Sequence, residues 1–336
     1  MLAFGHRMVA RVACLSPYDE ATVQALFKGR YQVEVALAPP PPAQAEVAAV
    51  CADADLVIAD RRHKHRVGRD VLMNMRRCRL IQQAAVGFDS IDHRAAAERG
   101  IPVANAAGYN KDSVADWTVM AMIALLRHSF FLDRQLRAGH WSPDDLMRGE
   151  DTLGRELGAM TVGIIGMGNV GSAVARRVSA FGARILFADP LPRSFDGAAQ
   201  VDLDTLLAES DVVCVHAPLD VDTRALIGTS EIARMRKGGY IINASRGPIL
   251  DEPSLIAALQ SGHLAGAGLD VFEVEPLPLD SPLRKMENVV LAPHRGGATL
   301  EADERLLEVV ADNLLRVLDG LPPINVVNGV TEAAIR

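Results

Sequence analysis

A chain of 336 residues, 49% of them hydrophobic, carries enough apolar material for two domains of ordinary size, each with its own core. Its formal net charge of -7 gives no electrostatic reason to expect nucleic acid or an anionic membrane as partner, and no tract is long and apolar enough to span a bilayer. Cys14, Cys51, Cys78 and Cys214 lie scattered without a close pair, which favours reduced core thiols over a disulfide frame or a zinc site, so no metal is expected.

In chain order, the N-terminal apolar residues are interrupted by Arg7 and Arg11, which argues against a secretory core and makes the cytoplasm the expected location. From about Met8 to Ala106, apolar runs such as VARVACL, YQVEVAL, ADLVIAD, RLIQQAA and IPVANA alternate with helical patterns such as ATVQALF, EVAAVCA, RDVLMNM and IDHRAAAERG. This alternation predicts a parallel sheet. Pro39 to Pro42 is a stiff loop within it, because the alternation resumes at once. DSVADWTVMAMIALLR, Asp112 to Arg127, opens with capping residues and is apolar on nearly every side, predicting a long buried helix at a domain junction. The polar, turn-rich stretch that follows, with its isolated Trp141, reads as an arm suited to a subunit contact.

TVGIIGMGNVG, Thr161 to Gly171, is an apolar strand entering Gly166-x-Gly168-x-x-Gly171. Gly166 permits a tight turn, Gly168 lets phosphate oxygens reach bare backbone, and Gly171 lets the following helix lie close to the strand. Amides at that helix start face the anion. ARILFADP then supplies a second strand ending at Asp189, about 20 residues onward, where a carboxylate is needed for the adenosine ribose hydroxyls. Asp189 favours NAD over NADP, while the nearby Arg193 leaves NADP use open.

The alternation continues with a helix near 203 to 209, strand DVVCVHA, a helix near 229 to 235, strand GYIINAS, helix SLIAALQ, and strands LAGAGLDV and NVVLAP. Three polar residues follow strands of this series, where carboxyl ends of parallel strands open onto a cofactor: Arg246, Glu275 and His294. An arginine can grip a carboxylate bidentately and polarise a neighbouring carbonyl. Hydride transfer at an alcohol carbon needs a group that takes the hydroxyl proton, and an imidazole titrates in the useful range. A carboxylate on its other nitrogen fixes the tautomer and favours the charged form. Singly, these residues read as a surface ion-pair former, a turn solubiliser and a structural histidine. Their joint occurrence downstream of a dinucleotide fingerprint points to catalysis. A last amphipathic helix, about Glu301 to Leu318, is expected to return to the first domain, making the cofactor domain an insertion with a cleft between the two sheets.

With these motifs in order, the chain resembles the D-isomer-specific 2-hydroxyacid dehydrogenase family over almost all its length. VGIIGMGNVG resembles the family's cofactor loop, NASRGPILDE its arginine segment, GAGLDVFEVEP its acid segment, APHRGGAT its histidine segment, and HAPLDVDTRALIG is also similar. The resemblance implies two doubly wound parallel-sheet α/β domains. One is a flavodoxin-like substrate domain from residues 1–110 and 297–336; the other is an inserted Rossmann NAD-binding domain, 111–296. It implies NAD(H) as cofactor, reversible reduction of a 2-oxoacid to a D-2-hydroxyacid, and a homodimer built through the NAD-binding domains. Arg246, Glu275 and His294 become the catalytic set. Gly166, Gly168, Asn169, Val170, Gly171, Asp189, Ala217 and Pro218 fall to the cofactor. QQAAVGFDSID resembles the loop whose backbone amides, around Val86 and Gly87, hold the substrate carboxylate. Asp270 is expected near the nicotinamide carboxamide, with a buried structural role as the alternative.

The chain departs from the family pattern at DRRHKHRVGR, which is either a solvated basic loop or a place where Arg61, Arg62 or His63 reaches a second polar group on the substrate. Arg295, Tyr109 and Asn110 also differ from commoner residues, and Trp141 suits either dimer packing or contact with the partner's site. Two rival readings remain: a dehydrogenase of a small anion, formate or phosphite, on the same fold, and an NAD-sensing binding protein resembling corepressors.

Overall fold

The computed structural model describes residues 9–41, 43–141 and 153–334. Arg7, Pro42 and positions 142–152 of the expected arm lie outside the described residues. The chain divides into two compact units, Met1–Tyr109 with Leu300–Arg336, and Asn110–Thr299.

The first unit is built on β1 (Ala10–Cys14), β2 (Val33–Leu37), β3 (Leu56–Ala59), β4 (Leu80–Gln83) and β5 (Val103–Ala104), in the order β2-β1-β3-β4-β5 with every pair parallel. That is the flavodoxin-like order. β3 and β4 are buried at every position because helices cover both faces, which is why they read as unbroken runs rather than alternations. The helix Leu300–Leu318 closes this unit: Leu306, Val310, Leu314 and Val317 recur every three to four residues and are buried in its core.

The second unit holds β6 (Thr161–Ile165), β7 (Arg184–Ala188), β8 (Ala198–Gln200), β9 (Val212–Val215), β10 (Gly239–Asn243), β11 (Leu264–Leu269) and β12 (Val289–Leu291). Their order, β12-β11-β10-β9-β6-β7-β8, reverses direction between β6 and β9. This is the doubly wound dinucleotide-binding arrangement, whose ligand crevice lies at the reversal. The long helix Lys111–Leu126 lies in this unit and packs on β10, β11, β12 and the helix Asn169–Ala180.

Two elements differ from the expectations. β8 is a short edge strand of small and polar residues, Ala198–Gln200, with no apolar run to announce it. The start of the expected arm is a regular helix, Ser129–Arg137, with no buried residue.

Candidate active site

The loop after β6 is shaped by its three glycines. Gly166 has φ +90°, and a Cβ there would lie 2.9 Å from the carbonyl of His216. A Cβ on Gly171 would stand 2.0 Å from the carbonyl oxygen of Gly166, so only glycine lets the helix Asn169–Ala180 approach its own loop. Around Gly168 a Cβ would meet nothing within 4 Å, and no side chain caps that helix start. Bare amides and open space fit a phosphate group. Asn169 is exposed and Val170 half-buried on the first helical turn. Beyond β9, Ala217 is buried and Pro218 exposed, and the Ala217 carbonyl accepts a hydrogen bond from Ser245.

At the end of β7, Asp189 accepts a hydrogen bond from the Met167 amide at 2.9 Å and one from the Leu191 amide at 3.0 Å. Its carboxylate therefore fixes the glycine loop while ending the strand where ribose hydroxyls are expected.

Arg246 leaves β10 on a turn held by Asn243, which donates to the Arg246 carbonyl at 2.9 Å and accepts from the Ser245 amide at 3.1 Å. Arg246 Nη1 donates to the Ser245 carbonyl at 2.8 Å. The next residue is decisive for placement: a Cβ on Gly247 would fall 1.9 Å from the Phe272 carbonyl, so the arginine turn abuts the segment that carries Glu275. Gly247 escaped the sequence reading, although its place beside Arg246 was visible.

Glu275 Oε1 accepts from the Phe272 amide at 3.1 Å and Oε2 meets His294 Nδ1 at 2.8 Å. Burial pushes this carboxyl upward, but the hydrogen bond and charge of His294, the Phe272 amide and the charge of Arg246 outweigh it. The net effect holds Glu275 below the ordinary carboxylate range. Arg246, Glu275 and His294 thus form one electrostatic group. His294 itself sits at φ +54°, and its amide donates to the Asp270 carbonyl at 2.8 Å. Non-glycine residues are uncommon in that conformation and persist where the surroundings over-determine them.

Asp270 supplies much of that constraint. Its carboxylate is buried and accepts the Arg295 amide at 2.7 Å and the Gly296 amide at 2.8 Å, so it clamps the segment just after His294. Burial raises its pKa, reinforced by the Glu275 charge and opposed by the two amides and His294.

In the first unit, Val86 is exposed and Gly87 half-buried beyond β4, with the Val86 carbonyl held by Asn105 Nδ2 at 2.7 Å. The basic loop, many of whose side chains are exposed, is pinned at its backbone. The buried Asp60 carboxylate gathers the amides of Arg62, Lys64 and His65 at 2.9, 2.9 and 3.0 Å. Arg61 is committed to Asp303 at 2.6 Å and His63 Nδ1 lies 3.1 Å from Ser90 Oγ, while the Arg62 side chain is exposed.

Residues 119–296, all inside the second unit, match the family model described as D-isomer specific 2-hydroxyacid dehydrogenase, NAD binding domain. The glyoxylate reductase of Korarchaeum cryptofilum is 44% identical over 257 residues, covering 74% of this chain and 76% of the relative. The chain belongs to the D-isomer specific 2-hydroxyacid dehydrogenase family. Among solved structures, a glyoxylate reductase from Paecilomyes thermophila superposes with TM-score 0.84 at 30% identity, covering 95% of this dehydrogenase and 98% of that chain. An NAD-dependent formate dehydrogenase from Staphylococcus aureus in complex with NAD gives TM-score 0.81 at 29% identity over 93% and 96% of the two chains. The dehydrogenase uses NAD(H) and interconverts a 2-oxoacid and a 2-hydroxyacid. Among the described residues, no single helix of it is long and apolar enough to cross a membrane.

Proposed function

We propose that this dehydrogenase reduces a small 2-oxoacid, glyoxylate or hydroxypyruvate, to the corresponding 2-hydroxyacid, in the D configuration where that product is chiral, with Arg246, Glu275 and His294 as its catalytic set. The observation that carries the reading is the 2.8 Å contact between His294 Nδ1 and a Glu275 carboxylate that also feels the Arg246 charge. Nicotinamide dinucleotide bound along the glycine loop supplies the hydride. Arg246 binds the substrate carboxylate and polarises the adjacent carbonyl. His294, with Nδ1 taken by Glu275, presents Nε2 and gives its proton to the carbonyl oxygen. Glu275 stays ionised, so it orients the ring and supports the positive charge that the proton brings.

The backbone around Val86 and Gly87 is assigned to the substrate carboxylate, and Asp270 to holding the His294 segment in register. The unit Met1–Tyr109 with Leu300–Arg336 then serves the substrate and the unit Asn110–Thr299 the cofactor. The glyoxylate reductase relatives support the choice of a small oxoacid. The exposed apolar side chains of Phe130, Leu132, Leu136 and Trp141 support a homodimer built through the cofactor domain. Four buried, unpaired cysteines suit a reducing cytoplasm.

The test is NADH oxidation, followed by absorbance, across glyoxylate, hydroxypyruvate, pyruvate, phenylpyruvate and dicarboxylic 2-oxoacids. The highest kcat/KM is expected with glyoxylate or hydroxypyruvate. Reduction of NAD by formate or phosphite, with every oxoacid inert, would overturn the reading.

A further inference from the structure

The loop after β4, which carries Val86 and Gly87, is held at both ends by the basic loop after β3. At its start, Gln83 Nε2 donates to the Asp60 carbonyl at 3.2 Å. At its end, His63 Nδ1 lies 3.1 Å from Ser90 Oγ, and the Val67 amide donates to the Ser90 carbonyl at 2.8 Å. The placement of residues 84–89 is therefore set by residues 60–67. His63 makes its contact from φ +56°, a conformation that a non-glycine residue keeps where its surroundings over-determine it.

The Asp60 carboxylate supplies part of that constraint through the amides it gathers, and Arg61 supplies the rest. Its amide donates to Ser16 Oγ at 3.0 Å. Its guanidinium crosses to the first turn of the helix Leu300–Leu318, donating to Asp303 at 2.6 Å and to Tyr18 Oη at 3.4 Å. With the two side chains 27% and 46% exposed, the Arg61–Asp303 pair adds little to stability. Its consequence is geometric: it fixes the root of the basic loop two residues before His63.

We propose that Arg61, held by Asp303, is a positioning residue for oxoacid reduction, a role that rests on the assignment of Val86 and Gly87 to the substrate carboxylate. It sets the basic loop so that His63 and the Asp60 carbonyl keep the Val86–Gly87 backbone where that carboxylate is received. The guanidinium is turned to Asp303, so it acts on the loop and not on a second group of the substrate. Every 2-oxoacid presents the same carboxylate, and all of them feel the effect alike.

The experiment is steady-state NADH oxidation with glyoxylate and with hydroxypyruvate in the full-length wild type, Arg61→Ala, Asp303→Ala, the double variant, Asp303→Asn and Gly87→Ala. NADH affinity is read beside it by nicotinamide fluorescence. Arg61→Ala is expected to raise KM about tenfold for both oxoacids and to leave kcat within about twofold, because a misplaced binding loop weakens ground state and transition state together. NADH affinity should not move. Asp303→Ala should match Arg61→Ala, and the double variant should exceed neither, as two groups acting as one unit require. Asp303→Asn keeps an acceptor oxygen and should lie between; should Arg61→Ala lose its fold, KM in Asp303→Asn decides. An unchanged KM in Arg61→Ala overturns the proposal, and so does an additive rise in the double variant. A rise confined to one oxoacid overturns it too, since that marks direct contact with a substrate side group. Gly87→Ala separates the two levels. If it raises KM while Arg61→Ala does not, the Arg61 role alone fails; if it leaves KM unchanged, the carboxylate assignment fails and the Arg61 role with it.

Discussion

At the scale of single residues, His294 and Glu275 make separable predictions. Replacing His294 by alanine removes the proton donor but none of the groups around Gly168. Oxoacid reduction should therefore fall by about 10²- to 10⁴-fold, while NADH affinity measured by fluorescence changes little. Glu275→Gln keeps a hydrogen-bonding partner for His294 Nδ1 and removes a charge that is present at all working pH values, because this carboxyl is held low. Without the Glu275 charge, oxoacid reduction should slow, with a smaller loss of kcat than in His294→Ala. Unchanged oxoacid reduction in Glu275→Gln would remove Glu275 from its assigned role. The types and order of Arg246, Glu275 and His294 were readable because each follows a buried strand. What brings them together was not: the 1.9 Å approach at Gly247 and the left-handed turn at His294 depend on backbone from distant strands.

Among the elements, the strands buried on both faces were the most legible, since runs such as TVGII and GYIIN leave no room for a helical stripe of polar residues. β8 was illegible because its AAQ sequence contributes no apolar run, and its role is carried by Gln200 bonds to the turn before it. The helix Ser129–Arg137 was hidden differently. Its charges suggested an arm, yet Leu132 and Leu136 stand one turn apart, exposed at 37% and 56%. Phe130 and Trp141 are exposed as well. An apolar row that the described residues leave uncovered is a surface of the kind that a second copy covers. If this row lies in the homodimer interface, Leu132→Asp with Leu136→Asp should yield a folded monomer by sedimentation velocity, with far-ultraviolet circular dichroism unchanged. A dimer that persists in the double variant would place the interface elsewhere.

For the molecule as a whole, His216 sets an acid limit on stability. It follows β9 directly beneath Gly166, its amide bonded to the Ile165 carbonyl at 2.8 Å. Both ring nitrogens are shut off from water and have no hydrogen-bond partner among the described residues. Burial lowers its pKa from 6.5 to about 4. The sign follows from which state binds the proton. Above pH 6.5 both folded and unfolded chains hold a neutral ring, and His216 costs nothing. Between 6.5 and about 4 the unfolded chain takes a proton that the native one refuses, so stability declines as pH falls. The loss amounts to roughly 3 kcal/mol across that window. Most carboxylates held low by their partners, Asp202, Asp251 and Glu231 among them, act at still lower pH. Urea unfolding of the second unit, followed from pH 7.5 to 4, should therefore show a midpoint that begins to drop near 6.5. His216→Phe, which keeps an aromatic ring without a titrating group, should flatten the upper part of that decline. An equally steep fall in the variant would assign the acid sensitivity to other groups.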